Sequence, residues 1–153
     1  MTPFRPLDDA ARTEARGLLA GAMSASLGTL RDGAPMVTRT GCLWMPGRGL
    51  CMLISDLSDH ARALAADPRC SALVGEPAER GDPLTHPRLT LLGRTAALDK
   101  EAERSAYLAA RPKATLYYDF TDFRLLLIDA DEALLNGGFG KAYRLGANDL
   151  RAL

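Results

Sequence analysis

The amino-acid sequence predicts a mainly β fold with flanking helices, built on six antiparallel strands that close into a barrel. Three observations carry this. The first three predicted strands follow one another across short turns, Arg31-Asp32-Gly33 and Met45-Pro46-Gly47-Arg48-Gly49, which cannot hold the crossover that parallel strands need. No helical pattern separates those strands, which excludes an alternating α/β sheet. Six twisted strands in a chain of 153 residues lose their exposed edges by closing on themselves. The length is that of one ordinary domain. It is expected to comprise an N-terminal helix over 7–22, a barrel over about 25–136 and a short C-terminal tail.

Each element has its own signal. Leu7, Ala11, Ala15, Leu18, Leu19 and Ala22 recur at three- and four-residue steps with charged residues mostly between them, the pattern of an amphipathic helix. Residues 25–30 and 35–44 read as strands around an Asp32-Gly33 turn, a dipeptide that tolerates positive φ. Residues 50–55 return as a third strand. Ser58 is a good N-cap for a short helix that Asp67-Pro68 stops. Residues 70–74 and 88–98 are the next strands, separated by a loop over 75–87 that carries Pro77, Gly81, Pro83 and Pro87. Asp99 caps a helix running to about Ala110, and a helical turn follows Pro112. Residues 123–128 are almost wholly apolar, as a strand buried on both faces would be. Residues 131–136 continue that sheet until Gly137-Gly138-Phe139-Gly140 breaks it.

Composition narrows the function. Nineteen basic side chains balance nineteen acidic ones, so no global field gathers nucleic acid or an anionic membrane, and any phosphate must meet a local cluster of donors. Cys42, Cys51 and Cys70 are odd in number and show no C-x-x-C spacing, which argues against a zinc site and a disulfide framework. They read as reduced packing thiols. No apolar run approaches the roughly 20 residues of a membrane span. Residues 1–5 do not open a leader, and the chain reads as cytoplasmic.

The most informative segment is Ser55-Asp56-Leu57-Ser58-Asp59-His60-Ala61-Arg62. A strand ends there and a helix begins, so free backbone N–H groups and the helix dipole favour an anion. Ser55 and Ser58 add hydroxyl donors, and His60 and Arg62 add cationic or donor groups. The plain alternative is that Ser58 only caps the helix while His60 and Arg62 are solvated. Thr38-Arg39-Thr40 interrupts an otherwise apolar strand. Met36, Thr38, Thr40, Cys42 and Trp44 share one face of it, and Val37, Arg39, Gly41 and Leu43 the other. A mid-strand arginine must reach solvent or a counter-charge. If this strand borders the Ser58 helix, the two form one polar patch; otherwise it is an exposed face. The Asn136–Lys141 glycine run lacks the context of a nucleotide loop. Either its glycines let the backbone pass close to another surface, with Lys141 offered to an anion, or it is a simple C-terminal turn. No Ser–His–Asp set or carboxylate pair is apparent, and no catalytic or metal-ligating residue is assigned.

Several blocks in order carry a family resemblance: Ser55–Leu64, Asp67-Pro68-Arg69, Gly81-Asp82-Pro83-Leu84, Pro87–Gly93 and Gly137–Ala142. Across nearly the whole chain it resembles the pyridoxamine-phosphate-oxidase-related split-barrel proteins, and within them the HugZ-like, haem-utilisation branch. The resemblance implies a six-stranded split barrel, a homodimer, and a small-molecule pocket at the dimer interface that holds flavin mononucleotide (FMN) in many members. By resemblance, Thr38, Arg39 and Thr40 line the flavin, and Ser55, Ser58, His60 and Arg62 form the phosphate turn. Arg88 and Lys141 fall near the second subunit's edge of the pocket. Classical members place Arg-Lys where this chain has Asp59-His60. The expected function is an FMN-binding oxidoreductase of unknown substrate. The alternatives are a haem-binding or haem-degrading protein using the same pocket, and a non-catalytic dimeric ligand-binding barrel.

Overall fold

The computed structural model describes residues 2–153. An eight-stranded antiparallel sheet curls into a half-barrel, and four α-helices flank it. Helix α1 (Asp9–Gly21) starts where the Asp8 carboxylate accepts the Ala11 N–H at 2.7 Å, and it buries Ala11, Ala15 and Leu19. Strands β1 (Ser24–Arg31) and β2 (Ala34–Gly41) form the expected hairpin. Asp32 and Gly33 take φ of 52° and 80° at its tip, as this turn chemistry requires. Then come β3 (Leu43–Met45), β4 (Gly49–Ser55), α2 (Asp59–Ala66), β5 (Arg69–Val74) and β6 (Arg88–Ala97). Helix α3 (Lys100–Ala110) begins at Asp99, whose carboxylate accepts the Glu101 and Ala102 N–H groups. The chain ends in β7 (Phe123–Asn136), β8 (Ala142–Gly146) and α4 (Ala147–Arg151).

The strand order is β2-β1-β5-β6-β7-β4-β3, with β8 on the far side of β7. Strand β4 is buried along nearly its whole length because both its faces are covered. Leu50, Met52 and Ile54 face the barrel interior with Leu27, Leu89, Leu91 and Ile128. Cys51 and Leu53 face an outer cluster with Tyr107, Tyr118 and Leu125, under α3. Strand β7 divides in the same way: Leu126 and Ile128 pack inward, Leu125 and Leu127 outward.

Three elements differ from expectation. The second strand stops at Gly41, because the Cys42 N–H donates to Met23 O at 3.1 Å and the Arg111 guanidinium takes the Cys42 carbonyl. The strands over 123–128 and 131–136 are one, bent by a bulge where Gly93 faces Ala130 while Leu92 faces Glu132. The C-terminal tail is a strand and a helix. Leu145, Leu150 and Leu153 join the interior core, and Arg12 of α1 ion-pairs with Asp149 at 2.7 Å.

Candidate ligand site

Helix α2 meets the edge strand β2 at a single polar contact. Thr38 Oγ1 and His60 Nδ1 are hydrogen-bonded at 2.9 Å. The helix is held from the other side by Ala61 and Leu64, which enter the interior core. With Nδ1–H as the donor to the threonine oxygen, His60 Nε2 is left with an unshared pair and no protein partner. Partial burial holds the imidazole below its ordinary pKa, against the opposing pull of the Asp59 carboxylate. His60 is therefore neutral near pH 7.

The sign of that shift makes a prediction. The unfolded chain takes up the His60 proton first as pH falls through the ordinary histidine range, so the folded state is favoured above about pH 6.5 and loses ground below it. Part of the fall in Tm between about pH 7.5 and 5.5 should disappear in His60→Gln. Thermal unfolding of both proteins across that range checks it, and identical slopes would refute it.

The turn before α2 is closed by its own hydrogen bonds. The Ser58 hydroxyl donates to Ser55 O at 2.6 Å and accepts the Ala61 N–H at 3.3 Å. The Ser55 hydroxyl donates to the Asp122 carboxylate and accepts the Leu57 N–H. Asp122 also takes the Asp56 N–H on its backbone oxygen at 2.7 Å, so this residue clamps the turn twice. The amides of Asp59 and His60 keep no protein acceptor. Arg62 donates to Leu57 O at 2.6 Å and lies 3.7 Å from Asp59. Asp56 is ion-paired with Arg124. A hollow of about 280 Å³ lies beside this turn, floored by Ile54, Ala61, Leu64 and Leu126 and rimmed by Asp56, Arg62, Thr95 and Arg124. His60 is not part of its wall.

Within one chain the expected site residues fall into three places. Thr38, Ser55, Ser58, His60 and Arg62 gather around the start of α2. Arg39 is exposed on the opposite face of β2 and makes no ion pair among the described residues. Thr40 is buried, its hydroxyl donating to Gly41 O at 3.2 Å. Arg88 and Lys141 stand at the other end of β6 and β7, Arg88 holding Leu84 O at 2.9 Å. Along the strands Arg88 is roughly 23 Å from Thr95, and the Asn136 end of β7 roughly 40 Å from Arg124. Sequence reasoning missed Asp56, Asp122 and Arg124. Their only signal is indirect: two near-continuous apolar strands pair as central neighbours, which sets Ser55 opposite Phe123. Burial raises the Cys42 and Cys70 thiols to about 11 and Cys51 to about 12, so none is a nucleophile near neutrality.

A curled antiparallel half-barrel flanked by short helices is the fold of a split-barrel protein. The chain belongs to the pyridoxamine 5'-phosphate oxidase family, whose profile matches residues 11–136. The resemblance expected from the sequence holds in the relatives. A curated relative, the chloroplastic non-canonical heme oxygenase HOZ of Arabidopsis thaliana, is 35% identical over 102 residues, 64% of this chain and 30% of its own length. The solved heme binding protein from Mycobacterium smegmatis is 28% identical over 96% of this chain and 62% of that one, with a TM-score of 0.85. This chain thus spans under a third of the first relative and under two thirds of the second. A Clostridium acetobutylicum protein related to general stress protein 26 shares the fold, with a TM-score of 0.72 at 15% identity over 94% of this chain and 99% of its own. Among the described residues, no helix is long and apolar enough to cross a membrane.

Proposed function

We propose that the protein binds haem in a cleft that two copies share, with His60 as the imidazole donor. The observation that carries the reading is His60, hydrogen-bonded through Nδ1 to Thr38 and with no partner on Nε2 among the described residues; in the tautomer whose Nδ1–H donates to Thr38, Nε2 offers its lone pair. A donor set of this kind fits iron. It suits a phosphate less, because the Asp59 carboxylate stands in the first turn of α2 and Arg62 and Arg124 are already engaged. The names of the relatives from Arabidopsis and Mycobacterium support the same ligand. A second copy would supply the other wall of the cleft, since the hollow of about 280 Å³ beside α2 does not take in His60. In this reading Thr38 fixes the imidazole plane, and Arg88 and Lys141 of the other copy meet the haem carboxylates. The bound haem supplies the iron for oxygen chemistry or for storage.

A hemin titration followed at the Soret band tests this. His60→Ala should weaken binding by at least about tenfold, and Thr38→Val by about tenfold, the usual effect of losing a group that orients a ligand. Unchanged titrations in both variants would remove His60 from the site. Loss of the band under ascorbate and air marks degradation; its persistence marks storage. One observation favours a second reading. The two unpaired amides of Asp59 and His60 at the start of α2 suit the phosphate of FMN. Quenching of flavin fluorescence at a lower concentration than hemin binding would select it.

A further inference from the structure

The interior rows of the barrel turn polar at one end, and they do so around a hollow. Residues directly opposite in antiparallel pairs share a face. Met52 lies opposite Leu126, Ile54 opposite Arg124, and Ile128 opposite Thr95. Met52, Ile54 and Ile128 belong to the interior core, so Arg124 and Thr95 occupy interior positions as well. Ordinary core packing fills such positions with apolar side chains. Here the two instead border the hollow of about 280 Å³ beside α2, together with Asp56 and Arg62, above an apolar floor.

The rim carries both signs of charge with bonding capacity to spare. Arg124 meets Asp56 through Nε, a contact that engages one of its five N–H donors and one of the two carboxylate oxygens. The Thr95 hydroxyl donates to Pro68 O at 3.5 Å, so its oxygen can still accept. Arg124 and Asp56 are both partly exposed, and an ion pair of that kind contributes little, so a ligand takes it over at small cost. A lone anion would compete with Asp56, and a lone cation with the two arginines. A zwitterion does neither: its carboxylate meets the guanidinium and its ammonium meets Asp56 and Thr95. Asp56 and Arg124 are in contact, so the two ligand charges must stand on neighbouring atoms, as they do in an α-amino acid. The apolar floor calls for a hydrocarbon body, and a volume below the roughly 300 Å³ of a small drug pocket keeps it short. We propose that this hollow binds a free α-amino acid with a branched aliphatic side chain, its carboxylate on Arg124 and its ammonium on Asp56. His60 is not part of the wall, so the site stands whether or not the protein binds haem.

Calorimetric titration of the full chain with L-leucine tests it, beside compounds that each lack one part: 4-methylpentanoate without the ammonium, isopentylamine without the carboxylate, and glycine without the hydrocarbon. Leucine should bind saturably at millimolar concentration or below, and each of the others at least tenfold more weakly. Asp56→Asn and Arg124→Gln should each raise the leucine Kd at least tenfold. Ala65 is an exposed residue of α2 that borders the hollow, so Ala65→Phe should fill it and abolish binding with an unchanged circular dichroism spectrum. No saturable binding of leucine, or equal binding of 4-methylpentanoate, overturns the proposal. Leucine binding that survives Ala65→Phe or both charge variants lies elsewhere on the chain and overturns the site.

Discussion

Gly93→Ala is expected to lower the stability by at least about 3 kcal/mol, beyond most single-methyl insertions, which cost about 1–3 kcal/mol. Gly93 sits at the bulge where β6 changes register against β7. A Cβ there would strike Asp129 O and stand 2.7 Å from Ala130 Cα. Both are backbone atoms of a central strand, so no side chain can swing aside. The φ of Gly93 lies outside the positive range, so the demand is for space and not for a left-handed conformation. Relief would require pushing β7 away, which disturbs the packing of Ile128 and Ala133 in the interior. A chain of this size loses roughly 2–4 °C of Tm per kcal/mol, so a drop of about 6–12 °C is expected in thermal unfolding. A change of only a degree or two would mean that the strands do not approach as closely as described.

The same bulge shows where the sequence stops being readable. Residues 123–128 announce themselves by apolar content, but Asp129, Ala130, Asp131 and Glu132 interrupt the pattern. Their polarity is real: Asp131 is the extra residue of the bulge, without a pairing partner on β6. What looks like two strands in sequence is one strand bent around an insertion. Local signals held where the cause is local. The side chains of Ser58 and Asp99 cap helices as their chemistry dictates, and alternation put Thr38, Thr40 and Cys42 on one face, which the structure buries at Thr40 and Cys42. The end of β2 was not legible, because it is set by Arg111, which lies 69 residues further on. The C-terminal strand was hidden for a similar reason. Ala142–Gly146 has little strand character beyond Tyr143 and Leu145 and is held by pairing with β7. Of the candidate site, the turn and His60 were visible, but the clamp was not. Asp122 is 67 residues from Ser55 and meets it only through the β4–β7 register.

Arg111 makes the second large prediction, because it joins three elements through two carbonyls, of which Ala22 O has only the weak Cys42 thiol as a further donor. Its Nε and Nη2 donate to Cys42 O at 3.1 and 2.8 Å, and Nη2 also reaches Ala22 O at 2.9 Å. It thereby ties the end of α3 to the break between β2 and β3 and to the end of α1. Hydrogen bonds to a charged group contribute about 1.5–3 kcal/mol each, and a carbonyl left unpaired costs about 1–3 kcal/mol. The three bonds act as a unit, so their removal does not simply add. Arg111→Met, which keeps the aliphatic stem, should cost about 3 kcal/mol and lower Tm by roughly 6–12 °C. Arg111→Lys should recover less than half, since one ammonium cannot reach both carbonyls as the planar fork does. The break at Cys42 also sets where β2 lies over α2, so Arg111→Met should weaken hemin binding although residue 111 is remote from His60. A variant that loses the stability but binds hemin with unchanged affinity would show that the Thr38–His60 contact is fixed by β1 and α2 alone.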